Sequence, residues 1–221
     1  MTQTMLSVKD LQVAIGAVDI LRGVSLSVGE GEMVGLVGRN GAGKTTTLRA
    51  LMGLVPVNLG QISFRAQDVV KMSANRRAEL GIGYMPEDRK LVPQLTVGEN
   101  VAMPAWAMSR LDEGERLRLA YDLLPEVAAM QDRRALLLSG GQQKLVALAR
   151  AIVAGTDLLL LDEPFEGVAP ALAQRLSEVI GALRGEKLSV LIAQSDSNHS
   201  SKWLDREYTI ERGASTEGAS G

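Results

Sequence analysis

"GEMVGLVGRNGAGKTTTLRALMG", residues Gly31–Gly53, is the stretch on which the fold turns. Its first part, Gly31–Gly38, is a short apolar run that reads as a buried strand entering a glycine-rich loop. Its last part, "KTTTLRALMG", reads as a helix with Gly53 at the C-cap. Between them "GRNGAGKT", Gly38–Thr45, matches the pattern G-x-x-x-x-G-K-[ST]. Glycines let successive backbone N–H groups point inward around a phosphate, and the helix N-terminus adds positive dipole character. The pattern therefore makes Gly38, Asn40, Gly41, Ala42, Gly43, Lys44, Thr45 and Thr46 a nucleotide-phosphate cradle. Lys44 reaches the β- and γ-phosphates, and the Thr45 hydroxyl ligates Mg²⁺.

Outward from this loop, the N-terminal side alternates apolar and polar residues. "LSVKDLQVAI" and "ILRGVSLSV" flank the turn-prone "GAVD" and read as antiparallel strands. "GQISF" and "GIGYM" read as further short strands. From Pro86 to about Leu138 helical periodicity takes over. Leu145, Leu148, Ala149 and Ile152 then mark one face of an amphipathic helix. "DLLLLD" and "KLSVLIAQ" are buried strands on either side of a helix that opens at Pro170. Strands alternating with helices imply a mainly parallel sheet with right-handed crossovers. The Gly/Ser-rich end "RGASTEGASG" reads as a flexible tail.

Two more motifs bear chemistry. "LLLLDEP", Leu158–Pro164, is a buried strand ending in two acids, and a parallel strand delivers its C-terminal end to the ligand crevice. Asp162 there is the candidate Mg²⁺ ligand. Glu163 is the candidate general base that orients the water attacking the γ-phosphorus. "LSGGQQ", Leu138–Gln143, places Ser139, Gly140, Gly141 and Gln142 at a helix start, a second anion-binding N-terminus in one chain.

Composition narrows the classes. The chain has 221 residues, a net charge of −2, no cysteine and one histidine. Disulfides, thiol nucleophiles and histidine-rich metal sites are excluded, and no basic footprint points to nucleic acid. "MTQTMLSVKD" lacks the basic start and apolar run of a signal peptide, and no apolar run reaches the roughly 18 residues of a membrane span. The expectation is a cytosolic protein that meets membranes through partners.

The order of phosphate loop, helical insert, "LSGGQ" and "LLLLDEP" resembles the ATP-binding-cassette (ABC) ATPases over most of the chain, up to about Gly213. The resemblance implies an α/β fold: a P-loop NTPase core of the RecA-like kind, with an antiparallel β subdomain and an inserted helical subdomain at about residues 88–150. Residues 1–213 would form one nucleotide-binding domain and 214–221 the tail. It also implies a head-to-tail pair of cassettes in which Ser139 and Gly141 meet the γ-phosphate held by the partner. Mg-ATP is then the substrate, hydrolysed on the cytoplasmic face of the membrane beneath two permease subunits, with a periplasmic or extracellular binding protein supplying solute.

"GIGYMPEDRKLVPQLTVGENV" and "DEPFEGVAP" look like importers of branched-chain or hydrophobic amino acids, while "PEDRK" also resembles those of simple sugars. In "VAMPAWAM", Val101–Met108 could line a groove for a permease helix or simply fill the subdomain core. Glu87 stands where the family usually has a glutamine near Mg²⁺. Ile15 (or Ala14) stands in place of the aromatic that stacks on adenine. Ala169 lies near the place of an aspartate that communicates across the dimer.

The family's switch histidine follows the strand "SVLIAQSD", and alignment on that strand puts Gln194 there. Gln194 is thus the expected γ-phosphate sensor, and His199, five residues on, a bystander. Gln194 and Ile15 also leave open a weakly hydrolysing partner cassette. A DNA-repair or translation ATPase fits less well, since the insert has no long coiled coil.

Overall fold

The computed structural model describes residues 3–218. Its strands are β1 (Thr4–Ile15), β2 (Val18–Gly29), β3 (Met33–Val37), β4 (Leu59–Phe64), β5 (Gln67–Asp68), β6 (Ile82–Met85), β7 (Leu158–Asp162), β8 (Ser189–Gln194), β9 (Arg206–Glu211) and β10 (Ala214–Glu217). The helices are α1 (Lys44–Leu51), α2 (Ala74–Glu79), α3 (Val97–Ala107), α4 (Glu113–Leu123), α5 (Pro125–Ala128), α6 (Gly140–Ala154) and α7 (Pro170–Ala182).

One sheet runs in the order β5-β4-β1-β2-β10-β9-β3-β8-β7-β6. Its first four strands pair antiparallel, as the alternation in "LSVKDLQVAI" and "ILRGVSLSV" requires. β9, β3, β8, β7 and β6 pair parallel. Parallel strands buried on both faces are apolar throughout, and here successive residues go to opposite cores. Val34, Leu36, Leu158, Leu160, Leu191 and Ala193 join the core shared with α1 and the antiparallel strands. Met33, Leu159, Leu161, Val190 and Ile192 join the core built with α3, α6 and α7.

The helical insert is α3 to α6. α3 opens with a capping box in which the Thr96 hydroxyl accepts from Glu99 N and the Glu99 carboxylate accepts from Thr96 N. Val97 and Val101 enter the insert's core, while Met103, Pro104 and Met108 line an open groove of about 800 Å³ that runs to Thr45 and Glu87. The stretch Val101–Met108 therefore serves both as core and as groove wall.

Gly53 follows α1 in the left-handed conformation, one residue past the C-cap Met52, and Pro170 is the first residue of α7. The expected flexible tail is corrected. Ala214–Glu217 form β10, which pairs antiparallel with β9 and bridges to Gly23 of β2, so it joins the two halves of the sheet. A Gly/Ser-rich composition hid a strand whose order comes from its neighbours. Residues 219–221 of that expected tail lie outside the described part.

Candidate active site

β3 ends at Val37 and α1 begins at Lys44, so the intervening loop sits at the C-terminal edge of the parallel strands. Gly43 precedes the helix at φ 113°, where an L side chain is strained. Gly38 is required for another reason: a Cβ there would lie 2.3 Å from the Ile210 carbonyl oxygen. Asn40, Gly41, Gly43, Lys44, Thr45 and Thr46 line a cavity of about 440 Å³ together with Ile20, Glu87, Glu163 and Glu166. Ala42 backs the loop, and its carbonyl accepts from Gly213 N at 3.0 Å.

Lys44 Nζ donates to the carbonyls of Gly38 (2.6 Å) and Arg39 (3.2 Å) and pairs with Glu163 Oε1 at 2.9 Å. Thr45 Oγ1 donates to Asp162 Oδ1 at 3.0 Å. Tyr84 OH donates to Asp162 Oδ2 at 3.3 Å, a partner that nothing in the sequence singles out. Burial pushes the Asp162 carboxyl up to about 6, against the hydroxyls of Thr45 and Tyr84 that favour its charged form. Tyr84 is pushed up as well, by burial first and by Asp162 second.

Glu163 is 6% exposed and lies in the left-handed region at φ 46°. Its amide donates to Ala193 O at 2.9 Å. Its carbonyl accepts from Lys144 Nζ at 2.8 Å, and the same ammonium reaches the carbonyls of Pro164 (3.2 Å) and Glu166. Lys144 stands on α6, the helix opened by the "LSGGQQ" motif, and desolvation pulls its pKa down. It went unnoticed in the sequence because its partners lie about twenty residues away and are backbone atoms.

Ser139 is the exposed N-cap of α6, in a capping box with Gln142, and Gly140 and Gly141 form the first turn. None of Ser139, Gly140, Gly141 and Gln142 lines the chain's own phosphate-loop cavity. Glu87 does line it, exposed beside Thr45. Ile15 is 52% exposed at the tip of the β1–β2 hairpin and does not line it; Ile20, from β2, does. Ala169 is the N-cap of α7.

The expected sensor Gln194 is corrected. It is the last residue of β8, opposite Val37, and strand alternation turns it into the interior. It is 2% exposed, and its Nε2 donates to Ser200 Oγ rather than facing the cavity. The next residue, Ser195, points the other way, and its Oγ lies 3.0 Å from Glu163 Oε1 and 3.0 Å from Asn40 Oδ1. His199 is exposed, with its ring centroid 5.3 Å from that of Phe165.

Among the described residues no cluster of three or more His, Cys, Asp or Glu side chains stands ready for a metal. The Thr45 hydroxyl beside Asp162, with Glu87 on the same cavity wall, still fits Mg²⁺. That ion takes one or two carboxylates and completes its shell with water and substrate phosphates.

A loop of this shape at a strand-to-helix turn, with two acids at the end of a parallel strand beside it, defines a nucleotide-hydrolysing site. The model of the ABC transporter family matches residues 21–166. The chain is 34% identical to the high-affinity branched-chain amino acid transport ATP-binding protein BraG of Pseudomonas aeruginosa, strain PAO1, covering 95% of this chain and 90% of the relative. It is also 34% identical to the lipopolysaccharide export system ATP-binding protein LptB of Escherichia coli, strain K12, covering 94% and 87%. The structure superposes on a nucleotide-free ATP-binding cassette from an ABC transporter with TM-score 0.84 and 25% identity, covering 99% of this chain and 92% of that one. The chain belongs to the ABC transporter family and is an ABC-type ATPase, an ATP-binding subunit.

Proposed function

We propose that this ATPase drives import of branched-chain or other hydrophobic amino acids, or related small solutes. It works as a head-to-tail pair with a second cassette beneath two permease subunits, at the cytoplasmic face of the membrane. Among the described residues no helix is long and apolar enough to cross a membrane, so membrane contact falls to those partners. The likeness to BraG along nearly its full length supports the cargo. Lipopolysaccharide export is the second reading, because LptB matches at the same identity.

The observation that carries hydrolysis is Glu163, buried at the mouth of the phosphate loop and paired with Lys44. The loop amides and Lys44 bind the phosphates, Thr45, Asp162 and Glu87 hold Mg²⁺, and Glu163 takes a proton from the attacking water. Mg²⁺ held by these side chains would supply charge neutralisation to the phosphates. Such a site works by positioning and electrostatics rather than by covalent chemistry. Ser139, Gly140, Gly141 and Gln142 offer their helix start to the nucleotide of the facing cassette.

The test is ATP turnover of the chain assembled with its permease, with and without a leucine-loaded binding protein. Turnover that rises with the amino acid supports import. Turnover that responds to lipopolysaccharide instead moves the assignment to export. Glu163→Gln should lower turnover at least a hundredfold, and an unaffected rate refutes Glu163 as the base.

A further inference from the structure

We propose that Tyr84 is the residue that positions Asp162 for the metal ion, holding one carboxylate oxygen while Thr45 holds the other. The proposal rests on the reading of Asp162 as a Mg²⁺ ligand. β6 and β7 pair in parallel, with Tyr84 opposite Leu160 and Met85 opposite Leu161. Residues opposite one another share a face of the sheet, and alternation returns Asp162 to the face of Leu160. That face carries the core shared with α1, where Leu160 is buried and against which the Tyr84 ring packs. Tyr84 therefore reaches Asp162 along the sheet, while Thr45 reaches it from the first turn of α1.

The two carboxylate oxygens are divided between these donors. Thr45 Oγ1 donates to Oδ1 at 3.0 Å, and Tyr84 OH donates to Oδ2 at 3.3 Å. Asp162 is fully buried, and among the described residues its carboxylate accepts no other hydrogen bond. The last torsion of an aspartate is soft, so a buried carboxylate takes its orientation from its donors. Each oxygen keeps a further lone pair for the ion or for a water on it.

Thr45 is itself a candidate ligand, so its hydroxyl serves the ion and the carboxylate together. Tyr84 serves the carboxylate alone. Its phenol is neutral and protonated at neutral pH, so it orients Asp162 without adding charge beside the phosphates. Removing a partner of this kind, one bond away from the ion, typically weakens metal binding roughly 10–100-fold. The same ring lines the open groove beside Met103 and Pro104, which places it between that groove and the metal ligand.

The experiment is calorimetric titration of the chain with ATP, once in excess Mg²⁺ and once in EDTA. Wild type, Tyr84→Phe, Asp162→Asn and the double variant are compared. Tyr84→Phe keeps the ring in its core, and equal thermal midpoints verify the fold. It is expected to weaken Mg-ATP binding about tenfold and to leave ATP binding in EDTA within about twofold. Asp162→Asn should weaken Mg-ATP binding too, and adding Tyr84→Phe to it should cost less than about twofold more. Unchanged Mg-ATP binding in Tyr84→Phe overturns the proposal. So does a loss shared equally by the two titrations, which marks a packing role, or a full additive loss in the double variant. If Asp162→Asn weakens Mg-ATP binding while Tyr84→Phe does not, only the role of Tyr84 falls. If Asp162→Asn leaves Mg-ATP binding unchanged, the metal-ligand reading falls and takes this proposal with it.

Discussion

Replacing Lys144 with methionine tests how the helix of the "LSGGQQ" motif governs Glu163. Lys144 is 2% exposed, and its ammonium holds the carbonyls of Glu163, Pro164 and Glu166. Methionine keeps a flexible apolar stem of comparable reach and deletes only the donor. A hydrogen bond to a charged group contributes about 1.5–3 kcal/mol, and desolvation of the ammonium offsets part of the sum. A net loss of about 3 kcal/mol in stability follows, read as a lowered urea midpoint with unchanged slope.

The catalytic effect comes from Glu163, whose left-handed backbone at φ 46° costs about 1–2 kcal/mol. Without the clamp, that strain favours the relaxed backbone. With RT near 0.6 kcal/mol, the aligned fraction drops to about 3–15%, so kcat falls on the order of tenfold while ATP affinity holds. The assay is single-turnover hydrolysis beside nucleotide titration. A kcat within twofold of wild type, in a variant that has lost the expected stability, would show that the left-handed geometry does not depend on Lys144.

Two further outcomes follow from the same geometry. Among the described residues no aromatic side chain lines the phosphate-loop cavity, where Ile20 is the apolar wall, so the extra roughly 1 kcal/mol of an aromatic stack is missing. Calorimetric titration should give ATP and GTP dissociation constants within about tenfold of each other, and a stronger preference for ATP refutes this.

Arg175 on α7 grips Glu126 on α5 with two hydrogen bonds, at 2.8 and 3.1 Å, and holds the Glu126 carboxyl below its ordinary 4.5. A lowered carboxyl pKa stabilises the fold above the unfolded value, and the contribution vanishes as pH falls through the folded one. Both side chains are about a third exposed, so the effect is only about 0.5 kcal/mol. Urea midpoints of wild type and Glu126→Gln should differ at pH 7 and converge in acid below 4.5. A constant gap would mean that the pair is not the source.

The parts of the site that were legible in the sequence are those written in consecutive residues. Gly38–Thr45, Leu138–Gln143 and Leu158–Pro164 each carry their own signal, a strand-to-helix loop, a helix start and a strand end, within one short window, and the structure puts the first and third at one cavity. What was illegible is held by contacts between distant segments. Tyr84 meets Asp162, and Lys144 meets the turn after β7, only because β6, β7 and α6 pack together. The choice between Gln194 and Ser195 turned on a single residue of strand register, which composition does not resolve and the pairing of β8 with β3 and β7 does. Ile15 takes its place from the family's adenine-stacking position after the first strand, whereas Ile20 reaches the phosphate-loop cavity from β2, a contact that no motif in the sequence marks. β10 escaped because its four residues, Ala-Ser-Thr-Glu, hold one strand-favouring side chain, Thr216, and stand between glycines.

The strand pair at the far end of the described chain also bears on how the site comes into being. Ala42 rests on Gly213, and the space at Gly38 is bounded by Ile210, so the phosphate loop has its back wall only once β9 and β10 are in place. During synthesis from the N-terminus, at about 5–20 residues per second, that wall emerges roughly 10–30 s after the loop itself. A nascent chain therefore carries its phosphate-binding residues for most of translation without the means to fix their shape. Nucleotide binding becomes a property of the finished domain rather than of its first third.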